Sequence, residues 1–132
     1  MSPENTKYLL DKHPGILGKL TWGFECGDGW FNIINQLCQN IQHHIDWKNK
    51  SEEVVPQVVV DQVKEKFGSL RFYYHGGDDY ISGLVSMAES MSGVTCEVCG
   101  SSGESRNEGW IKVLCEEHHL EQETRRQERM KS

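Results

Sequence analysis

The sequence predicts an α+β fold: a small antiparallel sheet with two helices, followed by a cysteine-bearing C-terminal module. Three observations predict it. Apolar residues recur at helical spacing over 30–47. Two β-branched or aromatic runs, 57–63 and 69–74, lie close enough to pair as a hairpin. Three of the five cysteines gather late in the chain, two of them as C-x2-C.

A chain of 132 residues, 36% hydrophobic and with four tryptophans, can bury one modest core but not two independent ones. The expected organisation is an α+β body over 1–93 and a metal-stapled module with a C-terminal helix over 94–132, packed as one domain. The net charge of −6 is spread along the chain, with twelve acids and eight bases in 1–95 and eight and six in 96–132. Neither part has the basic excess that phosphate neutralisation demands, which disfavours tight nucleic-acid binding. No apolar run approaches the roughly 20 residues needed to span a bilayer, and the first residues lack a basic region followed by an apolar stretch. No membrane association and a cytoplasmic location are expected. An odd cysteine number with metal spacing fits a reducing compartment.

Residues 1–20 hold a short apolar stretch closed by His13-Pro14-Gly15, a signal that ends any opening helix. In 21–26 the alternation of Trp22, Phe24 and Cys26 predicts a short strand, broken by Gly27-Asp28-Gly29. Trp30, Ile33, Ile34, Leu37, Ile41 and Ile45 then follow helical spacing, with Asp28 placed to cap the start. A charged link, 48–53, leads to the two strands 57–63 and 69–74, with Lys64-Glu65-Lys66-Phe67-Gly68 as their connection. Asp78 and Asp79 can cap a second helix whose apolar face is Ile81, Leu84, Val85, Ala88 and Met91, ending near Ser92-Gly93. The polar tail, 121–132, reads as a solvated helix.

Cys96-Glu97-Val98-Cys99-Gly100 is a C-x2-C-G knuckle: two thiolates on a tight turn point at one ion, and the glycine permits the reversal. Fifteen residues later comes Cys115-Glu116-Glu117-His118, and the stretch between has hairpin character. Two half-sites around a hairpin with a helix after them describe a zinc ribbon or treble-clef-like module. The donor set Cys96, Cys99, Cys115 and His118 predicts one structural zinc ion with no open position for water, hence no metal-centred catalysis. His119 is the alternative fourth ligand, since both histidines lie within a turn of Cys115; C-x2-H repeats the spacing of the first knuckle and favours His118. No histidine lies between the cysteine pairs, as a His-metal nuclease would require. Cys26 and Cys38 lack partners at metal spacing and read as core.

Two further patterns bear on function. The polar face of the helix over 30–47 is almost all amide, Asn32, Asn35, Gln36, Gln39, Asn40 and Gln42, with no Lys, Arg or Glu before Ile45. Interfaces favour groups that hydrogen-bond without a large desolvation cost, so these amides mark a candidate partner or self-association surface. Glu25, Asp28, Arg71 and His75 would form a small-molecule or enzymatic site only if the strand ends and glycine turns bring them together. The adjacent His43 and His44 are expected on the surface, and the basic and aromatic run around Arg71 reads as an outer sheet face.

The motifs Trp22-Gly23-Phe24-Glu25-Cys26-Gly27-Asp28-Gly29-Trp30, the segment 63–74 and the cysteine module together resemble an uncharacterised family of small phage- and prophage-encoded proteins over about residues 22–119. Members often end the second knuckle in cysteine, where this chain has His118. The resemblance carries no activity. It implies an accessory protein that binds a host protein, such as a component of transcription, replication or a bacterial defence complex. The expectation is a non-catalytic, zinc-stabilised protein-binding module that inhibits or modulates a host protein. A nucleic-acid-binding zinc-ribbon regulator and a small-molecule binder or enzyme are the alternatives.

Overall fold

Ser2 and Pro3 start the first helix: the Ser2 hydroxyl accepts the Asn5 N–H at 3.2 Å, and proline occupies the first helical position, where its missing N–H costs nothing. In this computed structural model, which describes residues 1–131, that helix, α1, spans Pro3–Lys12. Pro14 holds His13 out of helical backbone, then itself opens α2, Pro14–Leu17. The His13-Pro14-Gly15 signal thus ends one helix and begins another.

The strand expected over 21–26 shrinks to β1, Phe24–Glu25. Gly23 has a φ of 68° and turns the chain, so Trp22 is 74% exposed while Phe24 and Cys26 are buried. A 3-10 turn, Asp28–Trp30, leads into α3, Phe31–Lys48. Asp28 does not cap α3. Its Oδ1 instead accepts the Ser2 N–H at 2.8 Å and the Asn5 side-chain amide at 2.9 Å, clamping α1 to this turn.

The hairpin strands are longer than the sequence suggests: β2 is Val59–Lys66 and β3 is Ser69–His75. Lys64 and Lys66 pair with Arg71 and Ser69, which leaves only Phe67-Gly68 as the turn. Both have positive φ, 53° and 82°, the type I′ geometry whose twist matches the flanking strands. β1 runs parallel to β2, Phe24 opposite Val63, so the sheet β1-β2-β3 is mixed and not wholly antiparallel. A parallel pair needs a long crossover, and α3 provides it.

α4, Asp79–Ser92, ends before Gly93 as its pattern predicts. Its side chains close the open edge of β3: the Ser92 hydroxyl accepts the Leu70 N–H at 2.8 Å and the Glu89 carboxylate accepts the Phe72 N–H at 3.0 Å. An edge strand is thereby kept from pairing elsewhere. The C-terminal part adds a two-stranded sheet, β4 (Glu104–Glu108) and β5 (Trp110–Leu114), and α5, Glu116–Lys131. The tail predicted over 121–132 is the exposed continuation of α5, and Ser132 lies outside the described residues. The fold is α+β with five helices among the described residues, where the sequence suggested two in the body and one at the C-terminus. Those missed are α1 and α2, too short to show a strong apolar period.

Leu9, Leu17, Trp30, Ile34, Ile41, Val60, Val63, Leu70 and Ile81 belong to one buried cluster. Each fully buried aliphatic side chain contributes about 1.5–3 kcal/mol. Cys26 and Cys38 lie in this cluster, and burial pushes both thiols up to about 12. His44 is not a surface residue. Its ring is buried against Tyr80, centroids 4.2 Å apart, and its Nε2 meets the Asp78 carboxylate at 2.8 Å.

Asp78 also accepts the Ile81 N–H at 3.1 Å, capping α4 as predicted. The bond from His44, then that from Ile81, holds its carboxyl below the usual range. A depressed carboxyl adds stability above its unfolded-state pKa, about 4, and that stability is lost as pH falls through the folded value. Asp78→Ala should cost about 1–2 kcal/mol in urea denaturation at pH 7, and Asp78→Asn should flatten the loss of stability below about pH 4. An unchanged acid limb in the asparagine variant would refute the assignment.

Candidate metal centre

The first knuckle is a closed turn. The Cys96 N–H bonds the Ser101 carbonyl at 2.7 Å and the Gly100 N–H bonds the Cys96 carbonyl at 2.9 Å. Gly100 adopts a φ of 84°, which only glycine takes without strain. The second half-site sits where β5 ends and α5 begins, so Cys115 occupies a helix start and His118 follows within the first turn.

These elements bring four donors together. The Cys96, Cys99 and Cys115 sulfurs and a His118 nitrogen all lie within 4.8 Å of one another. Cys99 Sγ is 3.8 Å from Cys115 Sγ, and His118 Nδ1 is 3.7 Å from Cys96 Sγ and 3.2 Å from Cys115 Sγ. A tetrahedral ion with metal–sulfur bonds near 2.3 Å has sulfur–sulfur edges of about 3.8 Å. The group can therefore hold a metal ion.

The electrostatics favour a cation. The His118 backbone N–H, with the His118 ring adding to it, brings the Cys115 thiol down to about 6, as expected of a cysteine at a helix N-terminus. The Ser101 hydroxyl, 2.9 Å from Cys99 Sγ, lowers the Cys99 thiol. Burial raises the Cys96 thiol above its ordinary value. The bond to Cys115 raises the His118 imidazole. His118 Nε2 faces the Glu121 carboxylate at 3.8 Å, the side on which metal-bound histidines find an outer carboxylate.

His119 points elsewhere. Its Nε2 lies 3.7 Å from Glu108, in a surface network with Glu123 and Arg126, whose guanidinium donates to the Glu108 carbonyl at 3.0 Å.

What the sequence did not reveal is how the knuckle is seated. The Gly29 N–H donates to the Glu97 carbonyl at 2.7 Å and the Gly27 N–H to the Glu97 carboxylate at 2.9 Å. The Trp30 indole N–H donates to the Thr95 carbonyl at 3.0 Å. A methyl group on Gly29 would overlap the Cys96 carbonyl, and one on Gly27 the Glu97 carbonyl. Glu97 is buried, which raises its carboxyl, and its Oε1 has no partner. The signal was the pair of glycines in Gly27-Asp28-Gly29, readable as a close approach but without an indication of to what.

The other predicted residues are spread apart. Asp28 is bound to α1. Glu25 accepts a bond from Gln62 at 3.2 Å, His75 pairs with Asp61 at 3.2 Å, and Arg71 stands opposite Lys64. Glu25, Asp28 and His75 are thus held by separate partners. Asn35 is not on the surface: it is buried and bonded to His13 Nε2 at 2.7 Å. Gln39 turns with Gln42 toward α2, lining a different cleft from the remaining amides. Asn32, Gln36 and Asn40 rim an apolar groove of about 270 Å³ between α3 and α4, with Ile33, Leu37, Leu84, Met87 and Met91 in its walls. Met87 and Met91 are 64% and 49% exposed.

Compared with protein-family models, curated proteins and solved structures, the chain matches none. No helix of the described residues is long and apolar enough to cross a membrane.

Cys99→Ala and His118→Ala should each reduce metal affinity by more than the roughly 10–100-fold typical of an outer-shell change, whereas His119→Ala should leave metal content unchanged in native mass spectrometry. Retained metal in His118→Ala would overturn the donor set. Gly29→Ala should lower stability by about 1–3 kcal/mol through overpacking. Gly83→Ala, on an open face of α4, should raise it by about 0.5–1 kcal/mol; equal effects in urea titrations would refute the close approach.

Proposed function

We propose that this chain is a non-catalytic protein-binding module stabilised by one structural zinc ion, and that it modulates a host protein as a phage accessory factor in the bacterial cytoplasm. The observation that carries the reading is the α3–α4 groove. It has an apolar floor, two exposed methionines and a rim of amides, and no charged side chain lines it. Such a surface suits the apolar face of a partner helix: methionine repacks around varied side chains, and amides pair with donors or acceptors alike.

Zinc fits the donor chemistry. Three thiolates and one imidazole in a tetrahedron make a closed site, which stabilises and leaves no position for a substrate or activated water. The motif resemblance supports the phage assignment. A component of a defence complex is one partner class consistent with it.

The test is affinity purification of the tagged protein from host cells, with Gln36→Lys and Met87→Lys in parallel. A host protein should copurify with the wild type and be lost in both variants while they retain zinc and their unfolding midpoint. A partner retained by both would remove the groove from the reading. Absence of zinc from the purified protein by elemental analysis would remove the metal.

A further inference from the structure

The turn of the β2–β3 hairpin carries an oddity. Type I′ turns favour Asn, Asp or Gly at both central positions, because a left-handed backbone strains a bulky residue. Here the first position is Phe67, with a φ of 53°, and its side chain recovers little burial, being 71% exposed. Strain retained without a packing return is a pointer to function.

Phe67 does not stand alone. The β4–β5 hairpin turns at Gly109, φ 92°, and presents Trp110, 72% exposed. The two hairpin tips share one cleft of about 360 Å³, with Lys64 and Lys66 on the β2 side. The Lys66 ammonium lies 5.8 Å from the centre of the Phe67 ring.

Strand alternation extends this surface. Lys64 pairs with Arg71 and Gln62 with Tyr73, placing these side chains on the sheet face opposite the buried Val63, Leu70 and Phe72. Tyr73 is 42% exposed. Glu65 alternates to the other face, opposite Leu70. Two carboxylates stand beside the cations: Glu65, which also lines the cleft, and Glu25, across from Lys64 and held by the Gln62 amide. An acidic chain thus concentrates three cations and three exposed aromatic rings around one sheet face and its cleft.

We infer that this face and cleft bind single-stranded nucleic acid, with Phe67 and Trp110 stacking on unpaired bases and Lys64, Lys66 and Arg71 meeting the phosphates. Exposed rings find no partner in a duplex, whose bases are already stacked, whereas single strands offer their π-faces. The site is separate from the α3–α4 groove and does not depend on it. The overall −6 charge makes binding weak and salt-sensitive. Three neutralised phosphates predict a slope of log K against log salt of about −2.

The experiment is fluorescence anisotropy with the zinc-loaded full chain and labelled dT12 and rU12, with a 12-base-pair duplex, heparin and polyglutamate as competitors. Single strands should bind at low salt with a slope near −2 and resist the competitors. Trp110→Ala and Phe67→Asn should each weaken binding by roughly 5–100-fold. Phe67→Asn should at the same time unfold at an equal or higher urea concentration, because asparagine accepts the left-handed turn. Three results would overturn the proposal: no single-strand binding at 20 mM salt; full affinity in Phe67→Asn; or displacement by duplex or heparin as effective as by unlabelled dT12, which would indicate general attraction to polyanions. Preferential displacement by polyglutamate would assign the face to an acidic protein partner and also overturn it.

Discussion

The rest of the structure depends on the contact between two glycines and one metal knuckle. Gly27 and Gly29 let the turn before α3 lie directly on the backbone of Cys96 and Glu97, and two N–H groups find their acceptors there. Backbone pressed on backbone tolerates no added carbon, so this seam has one register. Trp30 locks it from the other side: its ring is wholly buried in the core while its indole N–H reaches the Thr95 carbonyl. A single tryptophan therefore belongs to both the hydrophobic cluster and the seat of the metal site.

This coupling explains a division between what local sequence could say and what it could not. The cysteine module, the long helix, the hairpin and the second helix with its Asp78 cap were legible, because each rests on spacing within a few residues. What escaped was set by distant partners. Asn35 reads as one more amide on a polar face, yet His13, twenty-two positions earlier, takes it into the interior. His44 reads as a surface histidine, yet Asp78 and Tyr80 enclose it. Asp28 reads as a cap, yet α1 folds back to claim its carboxylate. Asn35 and His44 are buried polar groups that must be satisfied, Asp28 is an exposed carboxylate captured by the start of α1, and in no case does the sequence name the partner.

The same logic separates the two open surfaces. Along α3 the amides divide: Asn35 is used in folding, Gln39 and Gln42 face the α2 side, and Asn32, Gln36 and Asn40 are left around the apolar groove. The groove suits a neutral, apolar occupant. The sheet face beyond it has the opposite character, with cations beside rings. One ligand could not use both chemistries well. A charged strand gains little from the methionines, and an apolar helix would bury lysines without partners, at a cost that burial of its own surface does not offset.

The metal site bears on that second surface although none of its donors touches it. Trp110 stands at the tip of a hairpin whose far end carries Cys115, and Phe67 at the tip of a hairpin belonging to the main sheet. What holds the tips together is Gly68, where an added carbon would already be in contact with the Ile111 side chain, and behind it the knuckle seated on Gly27 and Gly29. Small metal modules lose their fold with their metal, so the ion's effect would be felt first in where Trp110 sits relative to Phe67. A donor set at one end of the hairpin would thereby bear on the cleft at its other end.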